Sequence, residues 1–386
     1  MNARAVWSSG FRPFFLAAAT YGPLLLAIWY GARSGWWPAP HRLALPLLHA
    51  HELLFGFAGA LVCGVLLTAL PSWSGAHEVR GRPLAVLAAL WLGGRIAFWG
   101  MAWIGAPLAA LIDCALLPAL AGLLYATIAP GHRRFFWWTL PPLVALACAN
   151  IVFHLALARG TDADAHWALR LGIHGLAFLF ALYGGLFIPA FTRRWLHARG
   201  AKAAAILRPL EYATALAMVL FACADLLGAP SFWMAAAALA AAGVHAWRAA
   251  RWQGWRTGSE PLLWCIHLGY LWLIAALVLR ALVEFTRSVP PDAWIHAFTI
   301  GAYGMLKIGL MTRVALRHTG RPLEAPAPMV IAFVMVLVAS LLRLAYSVHD
   351  LGEWALGASA LLWAAAFATY LAIHGPMLLR PSLPRG

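Results

Sequence analysis

The run from His49 to Gly75 constrains this chain more than any other stretch. It reads H-A-H-E-L-L-F-G-F-A-G-A-L-V-C-G-V-L-L-T-A-L-P-S-W-S-G and carries no charge after Glu52. A bilayer core about 30 Å thick is crossed by roughly 20 apolar residues, so the run is predicted to span a membrane. Its first turns nevertheless hold His49, His51 and Glu52. Ionisable groups inside a span are costly and read first as a functional site. Gly56, Gly59 and Gly64 give one small-residue face for close helix contact. Pro71 and Gly75 are expected to end the helix.

The rest of the chain repeats that character. Of 386 residues 63% are hydrophobic and 11% charged, with a mean hydropathy of +0.78. That exceeds what a soluble domain needs and predicts an all-α integral membrane protein. About twelve transmembrane helices can be drawn, over 14–31, 44–71, 84–104, 106–128, 137–158, 166–191, 208–228, 231–249, 260–283, 293–312, 327–347 and 352–372. Breaks fall at proline, glycine and charge clusters. No linker is long enough to separate domains, so residues 1–386 are expected to form a single polytopic membrane domain. The first apolar run follows a short basic arm and is expected to be retained. The five cysteines form no C-x-x-C pair, which argues against a disulfide framework or a zinc site.

The net charge of +15 sits in short loops between the runs. It is therefore read as topology charge, with no nucleic-acid partner. With the N-terminus inside, nineteen of the 28 Lys and Arg residues fall on the cytoplasmic side, five on the other and four within spans. The bias predicts both termini in the cytoplasm of a multi-pass inner-membrane protein. His51, His174 and His296 are spaced by 123 and 122 residues and fall early in spans two, six and ten. The unit is thus four helices repeated three times, roughly 14–128, 137–249 and 260–372. Spans six and ten end alike at Thr192-Arg193 and Thr312-Arg313, and the spans after two of the histidines carry Arg95 and Arg343.

The same stretches resemble a known family. His49-Ala50-His51-Glu52-Leu53-Leu54-Phe55-Gly56-Phe57 with Leu66-Leu67-Thr68-Ala69-Leu70-Pro71-Ser72-Trp73-Ser74-Gly75 is similar to the signature of the NnrS family. Gly10-Phe11-Arg12-Pro13-Phe14-Phe15-Leu16 resembles its opening, Ile188-Pro189-Ala190-Phe191-Thr192 its middle motif, and Met311-Thr312-Arg313 through His318-Thr319-Gly320-Arg321-Pro322 its late motif. The resemblance implies a polytopic protein that contains haem and copper and is linked to nitric oxide stress. It also implies an arginine just before the middle motif, where this chain has Gly185-Leu186-Phe187.

Topology then sorts the polar groups. Spans two, six and ten run from outside to inside, which places His49, His51, Glu52, His174 and His296 in the outer half. His154, Arg95, Arg280 and Arg343 are expected to join them. Imidazole ligates haem iron and suits copper. Arginine pairs a haem propionate through two parallel hydrogen bonds. The expected haem site is therefore His51 and His296, with Arg95 and Arg343 on the propionates. With no C-x-x-C-H the haem is non-covalent, of b type. Copper or a second metal is expected among His49, His174 and the remaining histidines. His49 points about 200° away from His51 on one helix. His267 lies in the inner half, as a ligand of a different site. A buried arginine needs a partner, and Glu52, Asp113 or a propionate could serve. Glu52, beside His51, is the expected catalytic carboxylate and proton source. His41, His77, His132, His197, His245 and His318 read as solvated loop residues. Trp36, Trp37, Trp137 and Trp138 read as an aromatic belt.

A threefold four-helix plan with outer histidines is also similar to the catalytic subunit of haem–copper oxidases, a likeness of fold only. Three functions fit: a metalloprotein that handles nitric oxide with an unknown electron donor, a haem sensor without turnover, or a secondary transporter. Transporters of this size repeat as two halves of six, which the spacing disfavours. Reporter fusions after Arg199 and after Asp162 are expected to report opposite compartments; the same compartment for both would overturn this topology.

Overall fold

In a computed structural model, residues 3–39, 41, 43–128, 134–349 and 351–384 are described. Among them every regular element is helical. Nine helices are long and apolar enough to cross a membrane: Phe11–Arg33, Leu45–Trp73, Ala106–Ile128, Phe136–Arg159, Asp162–His197, Arg208–Leu226, Pro261–Phe285, Ala327–His349 and Glu353–Leu378. The other three expected spans are helical but shorter or more polar. Arg82–Trp99 stops at Gly100, Ser231–Arg251 is alanine-rich and closes on Arg248 and Arg251, and the stretch from Ala293 to His318 is interrupted. Large apolar side chains lie on the outside of these helices, among them Ile96, Leu111 and Leu361, each at least 65% exposed. Water would penalise such surfaces and lipid does not. This is a multi-pass membrane protein.

The chain forms two compact units, one of Met1–Leu176, Val314–Pro322 and Tyr370–Gly386, the other of Ala177–Arg313 and Leu323–Thr369. In the first, the Phe11–Arg33 helix packs along Gly59–Ser74. Gly64 makes this possible, because a Cβ there would stand 2.7 Å from the Phe15 ring. The run ends at Gly75, whose φ of +79° closes the last turn, while Pro71 sits inside that turn rather than after it. Arg12 is fully buried and donates to the carbonyls of Leu378 and Arg380, 2.7 Å each, so the opening motif caps the C-terminal helix.

In the second unit, Arg208–Leu226, Ser231–Arg251 and Pro261–Phe285 pack in sequence order, and the last of them lies against Ala297–Gly304. Gly269 sets that contact: a Cβ there would stand 2.7 Å from the Leu306 nitrogen and 3.0 Å from the Ala302 carbonyl oxygen. His245, expected in a solvated loop, is fully buried instead, with Nδ1 2.6 Å from the Tyr270 hydroxyl. The Ser231–Arg251 helix runs two residues past the expected span of 231–249, so His245 lies well inside it and faces the Pro261–Phe285 helix rather than a loop. His132 lies outside the described residues.

Two of the expected ligand histidines share a backbone feature. His51 leads directly into a π-helical stretch, Glu52–Ala58, and His296 into another, Ala297–Gly304. His174 sits in an unbroken α-helix. A π turn leaves the i→i−4 ladder and occurs mostly at functional sites. Gly269→Ala is expected to lower the melting temperature of the detergent-solubilised protein by several degrees, since backbone cannot move aside. Gly122→Ala, with nothing within 4 Å of the added Cβ, should leave it unchanged or raise it.

Candidate metal centre

Five helical segments of the first unit aim polar groups at one point. His51 and Glu52, at the start of the π stretch, are both 0% exposed. Asn150 and His154 are four residues apart and therefore share one face of Leu140–Arg159. Arg95 comes from Arg82–Trp99, Asp113 from the end of Ala106–Asp113, and Tyr21 from Phe11–Arg33.

Arg95 bridges the two carboxylates, Nη1 to Glu52 and Nη2 to Asp113. Glu52 Oε1 also lies 2.9 Å from His51 Nδ1, and its other oxygen accepts the Tyr21 hydroxyl. Tyr21 in turn accepts from the Trp99 indole at 2.8 Å. On the far side, His51 Nε2 stands 3.0 Å from Asn150 Oδ1 and 3.2 Å from Asp113 Oδ2. His154 Nε2 stands 2.9 Å from the same Asp113 oxygen. Asn150 Nδ2 donates to that carboxylate at 3.1 Å. Phe98 stacks on one face of the His51 ring at 4.0 Å, and Phe153 packs on it at 4.5 Å.

Two consequences follow from charge and donor count. Two buried carboxylates face one arginine, so the cluster needs one further positive charge to be neutral. Both His51 nitrogens face oxygen acceptors, so the ring either carries two protons or yields the Nε2 proton to a cation in its place. One ligand atom from each of His51, Asp113 and His154 lies within 4.8 Å of the other two. Two imidazoles and a carboxylate form a donor set for copper, iron or zinc. A carboxylate on the remote nitrogen of a ligating histidine is the usual support of such a site, and Glu52 occupies that place. The residues therefore fit a single metal ion. They do not fit a macrocycle at His51, because Nε2 is enclosed by Asn150 and Asp113 and the Arg95 guanidinium is committed to protein carboxylates.

The other expected site residues lie elsewhere. His49 packs its ring on Trp29 at 4.4 Å, away from His51. His174 is buried in the first unit, 4% exposed. His296 and Arg343 come together in the second unit, with Arg343 Nη2 3.0 Å from His296 Nε2 and Asp292 Oδ2 3.3 Å from His296 Nδ1. That ring is part-exposed at 22%. His267 is buried in the second unit, Nε2 2.8 Å from the Thr192 hydroxyl. Sequence reasoning grouped His154 with the outer histidines and offered Asp113 as a partner for a buried arginine, without naming either as a ligand, and it did not name Tyr21 or Asn150. The available signal was polarity on an apolar helix: Asp113 is the one acidic residue of its span, and Asn150 and His154 share a face.

A buried histidine–carboxylate centre inside a bundle of apolar helices defines the class: a multi-pass membrane protein with a buried group of side chains that could hold a metal ion built into its spans. The chain belongs to the NnrS family, whose family model, described as NnrS protein, matches residues 5–382. No curated protein matches it. Asp113→Asn is expected to destabilise the detergent-solubilised protein by roughly 3 kcal/mol, because it removes half of the charge holding Arg95. Combining Asp113→Leu with Arg95→Met should recover part of that loss, read as the melting temperature. Equal stability of all three proteins would show that the bridge is not a structural tie.

Proposed function

We propose that this protein is a haem- and copper-binding protein of the bacterial inner membrane, with both termini cytoplasmic, that binds nitric oxide as part of nitric oxide tolerance. The observation that carries the reading is the buried group of His51, Asp113 and His154 with Glu52 behind His51. Family membership supports the link to nitric oxide.

In this reading His51, Asp113 and His154 hold the copper, and His296 with Arg343 holds the haem. A bound haem iron or copper supplies an open coordination position for a diatomic ligand. The chain's own residues do the rest. Glu52 fixes the His51 ring by taking its Nδ1 proton in a hydrogen bond, and Tyr21 fixes Glu52. Phe98 and Phe153 keep water from the ring faces. Nitric oxide is neutral and apolar enough to arrive through lipid, so no hydrophilic channel is required. Glu52, expected to supply protons, would instead act as the group that positions His51, since it accepts from Arg95, Tyr21 and the imidazole at once. The His296 ring is part-exposed, and Arg343, now 3.0 Å from its Nε2, would pair a propionate if a haem were bound there.

The test is metal and haem content of purified protein, with absorption spectra of the oxidised, reduced and nitric-oxide-treated forms. His51→Ala, His154→Ala and Asp113→Asn are each expected to cut copper at least tenfold and leave the Soret band in place, whereas His296→Ala should remove or shift that band. Full copper in the first three variants would overturn the metal assignment. A haem that never takes up nitric oxide would overturn the function.

A further inference from the structure

The second unit holds a cleft that the metal reading does not use. It lies where Asp162–His197 and Ser231–Arg251 end, a small cleft open to solvent with about 20 Å³ of space for water. Its lining includes Arg193, Arg248, Arg251, Glu211 and Trp252, closed over by residues 203–207. Three guanidinium groups thus face one carboxylate.

Their bonding separates them. Arg248 is buried and satisfied: it forms a two-pronged pair with Glu211 and donates to the Ala181 carbonyl at 2.9 Å and to Tyr270 at 3.0 Å. Arg251 has no acidic partner among the described residues and donates to the Ala205 carbonyl at 3.0 Å, which ties the overlying loop to the cleft. Arg193 is half-buried and makes no hydrogen bond or ion pair with any described residue. Glu211 neutralises Arg248, so the cleft carries about two uncompensated positive charges. Basic residues at loop ends ordinarily set topology, a role that needs only charge and leaves the head groups in water. It does not require two of them to line one cleft around a tethered loop.

We propose that Arg193 and Arg251 form a binding site for a phosphate group, carried by an anionic phospholipid or free in solution. Arginine's planar fork matches phosphate oxygens in pairs and is weakly hydrated, which suits a half-buried position. The site lies at the arginine-rich end of the helices, where a lipid head group meets the loops. Trp252 supplies an apolar wall beside the head group. Glu211 holds Arg248 back from the ligand, so Arg193 meets it first and Arg251 closes from the loop side.

The test uses the full chain in neutral detergent and reads both the melting temperature and bound lipid by native mass spectrometry. Dioleoyl phosphatidylglycerol is expected to bind and raise the melting temperature by several degrees, while dioleoyl phosphatidylcholine does not. Arg193→Gln and Arg251→Gln should each weaken that effect about tenfold in lipid concentration. Arg199→Gln, whose parent side chain stacks on Trp195 outside the cleft, should leave it intact. Inorganic phosphate reproducing the shift by itself assigns the site to a soluble ligand; a shift with the lipid alone assigns it to the bilayer. Should Arg193→Gln fail to fold, Arg193→Lys serves, with a smaller loss expected because charge remains and the fork is gone. No shift with either probe, or a shift equal in wild type and both Gln variants, would overturn the proposal.

Discussion

The Glu52–Arg95–Asp113 bridge is the interaction on which the first unit depends. Within lipid a single unpaired charge costs several kcal/mol, and no water is present to share the cost. Arg95 therefore commits four helical segments at once: its own, the π stretch through Glu52, the Ala106–Asp113 helix through Asp113, and Phe11–Arg33 through the Tyr21 bond to Glu52. Glycines clear the space for it. A Cβ at Gly94 would stand 2.9 Å from Asp113 Oδ1, and one at Gly56 3.2 Å from the Arg95 side chain. The small-residue face of the central run is thus spent on admitting a guanidinium as well as on bringing backbones together.

The bridge also decides what His51 can do. With Glu52 on one nitrogen, Asp113 and Asn150 at the other, and phenylalanines on both faces, the ring has a fixed orientation and one exchangeable position. Its counterpart 245 residues later, His296, opens the same kind of π stretch but meets Arg343 directly and stays part-exposed. A histidine that leads into a π stretch thus belongs to a sealed centre in one unit and to an open one in the other. The difference lies in partners: among the described residues, Arg343 has only the half-exposed Asp292 beside it, and no buried carboxylate pair draws it away from the histidine.

The helical membrane architecture was legible in the sequence because apolar runs of bilayer length need no tertiary context to be recognised. His51, Glu52 and Arg95 stood out for the same reason, as charge where charge is costly. Asp113 was visible only as a possible partner for a buried arginine. Asn150 and Tyr21 were invisible, since one amide or one hydroxyl in a span has many ordinary uses. The π stretches left no composition signal, and the haem roles assigned to His51 and Arg95 came from treating residues one by one. Two groups that satisfy each other leave little for a third, and that exclusion appears only when distances are known. His245 was misplaced because a histidine near the arginine-rich end of a span reads as solvated, whereas its face of the helix is turned inward and buried against Tyr270.

Gly185 shows the same rule acting across helices. The resemblance implies an arginine just before the middle motif, and this chain has glycine at 185. The guanidinium of Arg248, from the Ser231–Arg251 helix, lies directly against that glycine and leaves no room for a side chain. It bonds the Ala181 carbonyl one turn earlier, while Pro189 one turn later has no N–H to offer the Gly185 carbonyl. Arg248 thus braces the helix one turn before the carbonyl that Pro189 leaves without its usual donor, and Glu211 keeps it in place. A positive charge at this depth can therefore be supplied from either helix, provided the other gives up its side chain to admit it.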